Sequence, residues 1–230
     1  MVKESQIKKI PCVCENKNCK VELKIIDMED GNVKIQIFNS KDIDSVVVNK
    51  LKLKKSLEII NRIQCDTNYI QIINLIPKNM TILDLGCGNG RPFIGTDFPF
   101  ITGVDIWKKK FYMPEYDEIC FNDIREIDNL FPEKFFDVVT AIDVIEHLEK
   151  EEGLKLIEDA EKLALKKVIF FTPRKWDENK DSFKNKKWWS YENKYCLHKS
   201  IWTEEDFTSR GYEIMPLSHP NYILAQKVMK

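Results

Sequence analysis

Long apolar runs are absent from this sequence of 230 residues. No stretch approaches the roughly 20 apolar residues that a helix needs to cross a lipid bilayer. The opening segment, MVKESQIKKIPC, also lacks the apolar run of a secretory signal. We therefore expect a cytoplasmic protein that has no membrane partner.

A surplus of charge of either sign is absent too, because the sequence has 36 Lys and Arg residues and 37 Asp and Glu residues, for a net charge of −1. Such a balance gives no overall electrostatic reason to expect nucleic acid as a partner. Histidine is scarce, at three residues, so candidates for an imidazole general base are few.

A paired cysteine framework is the third absence. Seven cysteines is an odd number in a chain of this length, which favours reduced thiols over disulfides. Cys12, Cys14 and Cys19 could bind zinc with Cys65 or a partner as the fourth ligand, but they lack the paired C-x-x-C spacing of zinc sites. Free thiols in a small β unit are therefore the favoured interpretation.

Two domains are predicted, over residues 1–50 and 51–230. In the first, KVELKII and NVKIQIF alternate apolar and polar residues around the turn signal EDGN, which is typical of a β-hairpin. SVVVN offers a third strand. The second domain begins with a helical pattern that ends before Pro77, and strands and helices alternate after Met80.

Alternation of strands and helices favours an α/β fold with a doubly wound, mostly parallel sheet. The last two strands should pair antiparallel, because the turn between them is short. A polar and aromatic excursion of the chain, Arg174 to Ser200, interrupts the pattern, and a loop this long is usually functional or mobile. The seven predicted strands are TILDLG, ITGVDI, DEICFND, FDVVTAID, KKVIFFTP, YEIMPL and YILAQKV.

Three of the eight glycines stand at alternate positions in ILDLGCGNGRP, as Gly86, Gly88 and Gly90. Glycines at the carboxyl end of a parallel strand let the backbone approach a ligand, and this spacing differs from the dinucleotide pattern G-x-G-x-x-G. Asp84 suits a cationic end of a ligand, and Arg91 with the following helix N-terminus could hold a carboxylate. The predicted ligand therefore carries the two charges of an amino acid.

Acidic residues end four successive predicted strands. Asp105 in GVDIW follows Asp84 by about 20 residues, where nucleoside-binding folds place an acid that accepts from a ribose diol. Asp123 in FNDI could accept from an adenine amino group, and Asp143 ends the fourth strand. The ring would lie between the side chains of Ile106, Trp107 and Ile124.

These segments, together with FDVVTAIDVIEHL, resemble the class I S-adenosylmethionine-dependent methyltransferases from about Met80 to the C-terminus. The resemblance implies a Rossmann-like fold, S-adenosylmethionine as cofactor and methyl transfer to a small-molecule acceptor at oxygen or nitrogen. One departure is RPFIGTDFPFIT, a poor helix, so the first helix should be short or distorted. The implied cofactor contacts are Asp84, Gly86, Cys87 and Gly88 for the methionine portion, Asp105 for the ribose, Asp123 and Ile124 for the adenine, and Asp143 near the methyl group.

His198, at the end of the excursion, and His147, in VIEHL after the fourth strand, are the candidate general bases, whereas His219 is expected to be structural. Asp143, Glu146 and His147 offer oxygen and imidazole ligands close together, but the set is incomplete and no metal site is predicted.

Two other functions stay open at this point. A nicotinamide-dependent oxidoreductase is suggested by the Tyr-x-x-x-Lys pair Tyr195 and Lys199, although the glycine spacing disagrees. A non-catalytic binding module would use the N-terminal hairpin to hold a protein or a nucleic acid.

Overall fold

The structure is a computed structural model, which describes residues 22–27, 32–38, 43–49, 67–108, 113–186, 188–217 and 220–230. The chain divides into two compact units, one of Met1–Lys78 with Arg91–Asp97 and one of Asn79–Gly90 with Phe98–Lys230. Cys12, Cys14, Cys19, Cys65 and His219 lie outside the described residues, as does most of the predicted helical segment after residue 50.

The first unit contains a three-stranded antiparallel sheet of β1 (Glu22–Asp27), β2 (Asn32–Phe38) and β3 (Ile43–Asn49). The predicted hairpin is therefore confirmed, and SVVVN lies in its third strand. The same unit holds α1 (Thr67–Asn74) and a 3-10 helix over Arg91–Phe93. That three-residue helix confirms that the first helix after the glycines is short.

The second unit contains a seven-stranded sheet in the order β6-β5-β4-β7-β8-β10-β9. The five strands from β6 to β8 are parallel, and β10 is antiparallel to both of its neighbours. All seven predicted strands and the antiparallel final pair are confirmed. The strands are β4 (Thr81–Leu85), β5 (Phe100–Val104), β6 (Glu118–Cys120), β7 (Phe136–Ile142), β8 (Ala164–Pro173), β9 (Glu213–Met215) and β10 (Tyr222–Val228).

In the described part of the second unit, three α-helices accompany this sheet: α2 (Lys150–Leu163), α3 (Lys180–Lys184) and α4 (Glu204–Thr208). A capping box at Thr203 and Asp206 starts α4, and Glu149 with Glu152 forms another at α2. The segments over Ile124–Asn129, Ile145–His147 and Lys194–Cys196 are 3-10 helices.

The order of the strands positions the site. From β4 the chain builds outward through β5 and β6, and then returns to place β7 on the other side of β4. Ligands of open α/β sheets bind where the strand order reverses in this way, beyond the carboxyl ends of the strands. β4, β5 and β7 are almost wholly buried, so the polar groups at their carboxyl ends are held on a rigid base.

Candidate functional site

The loop after β4 is a tight turn that glycine makes possible. Gly86, Gly88 and Gly90 have φ values of 68°, 53° and 72°, in the left-handed region that other residues rarely adopt. The amide groups of Gly86 and Cys87 donate to the Val104 carbonyl at 2.7 and 3.1 Å, which ties the loop to the end of β5. A Cβ atom at Gly88 would lie 2.9 Å from Cη2 of Trp189, so the indole is in contact with the loop backbone.

Asp105 joins this loop to the end of β5. Its Oδ2 accepts the amide hydrogen of Gly88 at 2.8 Å, and its Oδ1 accepts that of Trp107 at 2.7 Å. Burial raises the pKa of Asp105, and the two amide hydrogen bonds oppose that shift. The carboxylate therefore fixes the loop backbone, and lone pairs remain on it for a further donor.

Asp84 is the buried carboxylate of the site. Its Oδ2 accepts from the Tyr116 hydroxyl at 2.6 Å, and its Oδ1 accepts from the Thr140 hydroxyl at 2.8 Å. Burial raises the pKa of Asp84 to about 7, while the bonds from Tyr116 and Thr140 lower it and the charge of Asp105 raises it further. We call Asp84, Gly86, Gly88 and Asp105 the glycine-loop cluster.

Asp123 has a different environment from these carboxylates. It starts the 3-10 helix over Ile124–Asn129, and both of its oxygens accept from the guanidinium of Arg125. These bonds hold the pKa of Asp123 below its usual value. Ile124, the next residue, is buried in the core.

The remaining predicted contacts are spread around the loop. Ile106 and Trp107 are half-buried, and the ring centroids of Trp107 and Trp189 are 6.0 Å apart. Cys87 is buried, which raises the pKa of its thiol. Arg91 belongs to the first unit, where its guanidinium carbon lies 5.6 Å from the centre of the Tyr69 ring.

Asp143 has a strained backbone, with a φ of 54° that is uncommon outside glycine. Its amide hydrogen bonds the Phe171 carbonyl at 2.8 Å, and the chain then turns from β7 into the 3-10 helix over Ile145–His147. Strained backbone of this kind is concentrated at functional sites in proteins.

Glu146, His147 and His198 form a second group, which we call the histidine cluster. The centroids of the two imidazole rings are 4.9 Å apart, and Nδ1 of His147 lies 3.4 Å from the Leu197 carbonyl. The amide groups of Lys199 and Ser200 donate to the Glu146 carbonyl at 2.8 and 3.1 Å. These two bonds bring the end of the excursion beside the helix that carries His147.

The histidine cluster is partly shielded from water, with Glu146 buried and both imidazole rings half-buried. Burial lowers the pKa of both His147 and His198 to about 4, and for His198 the neighbouring ring adds to the shift. Both rings are therefore neutral at pH 7. Glu146 is buried and accepts from the Thr172 hydroxyl at 2.8 Å, and burial raises its pKa to about 7.

The histidine cluster could hold a divalent cation. One ligand atom from each of Glu146, His147 and His198 lies within 4.8 Å of the other two. Two imidazole nitrogens and one carboxylate oxygen form a ligand set that transition metals accept, with positions left for a further ligand. The local motif supplies two of the three groups, and the third comes from His198, which lies about 50 residues later in the chain.

Hydrogen bonds within the excursion over residues 174–200 join its own residues to one another. The side-chain amide of Asn179 donates to the Cys196 carbonyl at 2.8 Å, and the Glu192 amide donates to the Phe183 carbonyl at 3.0 Å. Trp176 and Trp188 are about half exposed, whereas Trp189 is turned toward Gly88. One loop therefore contacts the glycine-loop cluster through Trp189 and completes the histidine cluster through His198.

Two side chains of the site are not identified from the sequence. Thr140 was detectable, because it is a hydroxyl residue within the otherwise apolar run VVTAI of β7. Tyr116 carried no signal, since the segment before β6 has no periodic pattern.

The Tyr195 and Lys199 pair does not form the helical arrangement that the oxidoreductase hypothesis requires. Tyr195 lies in a 3-10 helix that ends at Cys196, and Leu197 has extended backbone with φ −77° and ψ 133°. The two residues are therefore not one turn apart on a common helix.

Comparison with known proteins supports the resemblance. The methyltransferase domain family matches residues 61–214, which is more than half of the chain. No curated protein matches the sequence significantly. Within the described residues, none of the helices combines the length and apolar character that a bilayer crossing needs.

Several solved structures are similar in fold. The PH0226 protein from Pyrococcus horikoshii OT3 is 19% identical over 75% of this chain and 92% of its own, with a TM-score of 0.53. An O-methyltransferase family protein from Burkholderia thailandensis is 13% identical over 74% of this chain and 57% of its own, with a TM-score of 0.51. The small RNA methyltransferase HEN1 is 20% identical over 72% of this chain and 25% of its own, with a TM-score of 0.50.

Identities this low show a shared fold, whereas the match over residues 61–214 shows the family. The seven-stranded sheet and its glycine loop agree with that match. The chain therefore belongs to the methyltransferase domain family and has the Rossmann-like fold of class I S-adenosylmethionine-dependent methyltransferases.

Proposed function

We propose that this protein transfers the methyl group of S-adenosylmethionine to an oxygen or nitrogen atom of a small-molecule acceptor. The observation that carries this proposal is the double contact of the excursion, which touches Gly88 through Trp189 and His147 through His198. An acceptor held by this loop would lie between the glycine-loop cluster and the histidine cluster. That is the position from which an acceptor atom can approach a bound methyl donor.

The residues at the glycine loop fit the cofactor of the family. Asp84 offers a carboxylate to the ammonium group, Gly86 and Gly88 leave the loop without side chains, and Asp105 offers free lone pairs to a ribose diol. The proposed cofactor-binding residues are Asp84, Gly86, Cys87, Gly88, Arg91, Asp105, Ile106, Trp107, Asp123, Ile124 and Asp143.

The sulfonium of the cofactor supplies an activated methyl group, so the protein has chiefly to hold the acceptor in line and to exclude water. We assign the contact with the acceptor to His147 and His198, which are the proposed catalytic residues. Both rings are neutral at pH 7, since burial holds the pKa of each at about 4. A neutral ring nitrogen can accept a hydrogen bond, and then the proton, from a hydroxyl acceptor.

The excursion favours a planar or anionic acceptor. Trp176, Trp188 and Tyr195 expose aromatic surface on it, and Lys194 lies 5.2 Å from the Tyr195 ring centre. Aromatic rings stack on planar groups, and lysine attracts anions. The named structural neighbours include an O-methyltransferase family protein and a small RNA methyltransferase, so RNA is the acceptor class to test against small molecules.

The experiment supplies methyl-labelled S-adenosylmethionine and the full-length protein to a small-molecule fraction and to an RNA fraction of cell extract. Mass spectrometry then locates the label. We expect labelled small molecules with the wild type and none with Asp105→Ala, which loses the acceptor for two loop amides. Label in RNA alone would overturn the small-molecule part of the proposal, and label in neither fraction would count against methyl transfer.

We also propose that residues 51–230 are sufficient to bind the cofactor and that residues 1–50 are an appended unit. Calorimetry with S-adenosylhomocysteine, the demethylated product, tests this on a chain that lacks residues 1–50. Unchanged affinity is expected. Loss of binding in a shortened chain that still melts cooperatively would show that the N-terminal sheet contributes to the site.

A further inference from the structure

The hydrogen bonds around Asp84 form a small closed network. Tyr116 donates to one carboxylate oxygen at 2.6 Å, and Thr140 donates to the other at 2.8 Å. Both donors are buried hydroxyls that come from different parts of the second unit, Thr140 from β7 and Tyr116 from the segment before β6. Hydrogen bonds that a carboxylate accepts favour its ionised form.

The ring of Tyr116 is fixed by two glycines. A Cβ atom at Gly90 would lie 2.9 Å from Cε2 of the ring, and one at Gly103 would lie 2.9 Å from Cδ1 and Cε1. The ring is therefore in contact with the backbone of the glycine loop and of β5. Burial and the nearby Asp84 raise the pKa of the Tyr116 phenol well above its usual value, so the hydroxyl remains a donor throughout the neutral range.

Among the described residues, the titratable groups that interact with Asp84 are Asp105, Cys87 and Tyr116, and none of these three is a cation. Burial raises the pKa of Asp84 to about 7, and the two hydroxyl bonds oppose that rise. Ionisation of a buried carboxyl in such surroundings costs free energy unless a cation lies beside it. Binding of a cationic ligand group would therefore favour full ionisation of the Asp84 carboxyl.

We propose that Tyr116 and Thr140 are positioning residues, whose hydroxyls favour the ionised form of the Asp84 carboxyl and orient it for the ammonium group of the methyl donor. They act through Asp84 and do not themselves contact the ligand. The inference rests on the proposed function in placing the amino-acid tail of the cofactor at Asp84. It adds that recognition of this tail depends on two hydroxyl groups that no glycine motif contains.

The test compares two ligands on the full-length protein. S-adenosylhomocysteine carries the ammonium group, whereas methylthioadenosine is the same thionucleoside without the amino-acid tail. Calorimetry from pH 6 to pH 8.5 gives the affinity of wild type and of Tyr116→Phe for both. The amino group of S-adenosylhomocysteine titrates identically with both proteins, so the ratio of the wild-type affinity to the variant affinity at each pH reports the protein.

Loss of one hydrogen bond to a charged group raises the pKa of Asp84 by about one unit. Tyr116→Phe should therefore bind S-adenosylhomocysteine about tenfold more weakly at pH 6, and the difference should shrink to about twofold at pH 8. The affinity for methylthioadenosine should be unchanged at every pH. Thr140→Val removes the other donor and should act in the same direction, which provides a second variant should Tyr116→Phe fold poorly.

The decisive control is the Asp84→Asn background, in which no charge remains to be stabilised. Tyr116→Phe should have no effect on S-adenosylhomocysteine affinity there. An equal loss of affinity for both ligands, or a loss that persists in the Asp84→Asn background, would overturn the inference and leave a packing role. Failure of the wild type to bind either ligand would instead contradict the proposed function, so the two failures are distinguishable.

Discussion

The glycine-loop cluster and the histidine cluster bury ionisable groups in opposite ways. In the first, Asp84 and Asp105 are surrounded by donors, two hydroxyls for one and two amides for the other. In the second, His147 and His198 are neutral, because burial holds the pKa of each at about 4. One cluster is arranged to carry negative charge, and the other is arranged to offer neutral nitrogen.

In the proposed reaction, this difference corresponds to the separate requirements of the cofactor and of the acceptor. A cofactor with an ammonium group and a ribose diol needs acceptors that are fixed before it arrives, and bonds from the neighbouring backbone and hydroxyls fix them. An acceptor atom that must give electrons to a methyl group benefits from an uncharged, poorly solvated neighbour. The predictions below test whether the two clusters really differ in this way, beginning with the largest expected effect.

Asp84→Asn should remove the pH dependence that the buried carboxyl imposes on stability. The pKa of Asp84 is raised to about 7 in the folded protein, so the native state binds an extra proton between about pH 4 and pH 7. Stability of the wild type is therefore lost through this group as pH rises across that range, by up to about 4 kcal/mol.

Asparagine can still accept from Tyr116 and donate to Thr140, so the packing is retained. Urea unfolding of both proteins from pH 4 to pH 8 gives the difference in the free energy of unfolding, and the other titrating groups cancel. Asp84→Asn should gain stability relative to the wild type as pH rises. Parallel stability curves would mean that the carboxyl is ionised at an ordinary pKa.

Asp105→Ala should weaken cofactor binding by about 100-fold, because two amide donors lose their acceptor and each such loss costs about 1–3 kcal/mol. Calorimetry with S-adenosylhomocysteine measures the effect. Asp128→Ala is the matched control, since Asp128 is an exposed aspartate whose oxygen pairs with Lys155 at 3.2 Å. Similar affinities for the two variants would show that Asp105 holds neither the loop nor the ligand.

His198→Gln should weaken cation binding at the histidine cluster, because it removes one of the three ligand groups. We expect Co²⁺ to bind at that site at least about tenfold more tightly in the wild type, so that at limiting Co²⁺ the wild type holds up to one more ion per chain than the variant. Equilibrium dialysis counts the ions, and the difference spectrum should contain no thiolate-to-cobalt band.

Glu149→Gln is the control for this experiment, because Glu149 is an exposed carboxylate three residues from Glu146. Its cobalt binding should equal that of the wild type. Identical ion counts for wild type and His198→Gln would show that the two rings serve the acceptor without a metal.

Gly88→Ala should lower S-adenosylhomocysteine affinity by about tenfold, since a left-handed alanine costs about 1–2 kcal/mol and its Cβ would meet Trp189. Gly211→Ala provides the comparison, because Gly211 also has a positive φ, of 81°, but the nearest atom to its Cβ would be 3.8 Å away. Both variants should melt at lower temperature, and Gly88→Ala alone should lose affinity. Equal affinities of the two variants for S-adenosylhomocysteine would show that the ligand does not bind against Gly88.

The fold was predictable because its strands are short apolar runs that end in acidic or turn residues. TILDLG and FDVVTAID became β4 and β7, and the spacing between strands left room for crossovers, which implies a parallel sheet. The carboxyl ends of parallel strands meet at one edge, so Asp84 and Asp105 could be placed together without knowing any distance.

The histidine cluster could not be assembled in the same way. His147 follows β7 directly, but His198 lies at the end of a loop without periodicity, and its position depends on the bonds from Lys199 and Ser200 to the Glu146 carbonyl. Tyr116 likewise depends on the path of a segment without a pattern. For Asp123, the position after β6 was predictable from the sequence. The hydrogen bonds that its carboxylate accepts from Arg125 were not.

The self-closing bonds of the excursion have a consequence for how substrate choice can change. Its interior is held by its own pairs, such as Asn179 with Cys196, while its return to the sheet is fixed at Glu146. Residues between these two attachments can be replaced without breaking either one, provided that Trp189, which contacts Gly88, is kept. Under the proposed function, a library of grafted loops that retain Trp189 and His198 would alter which molecule is methylated while every member keeps the same donor.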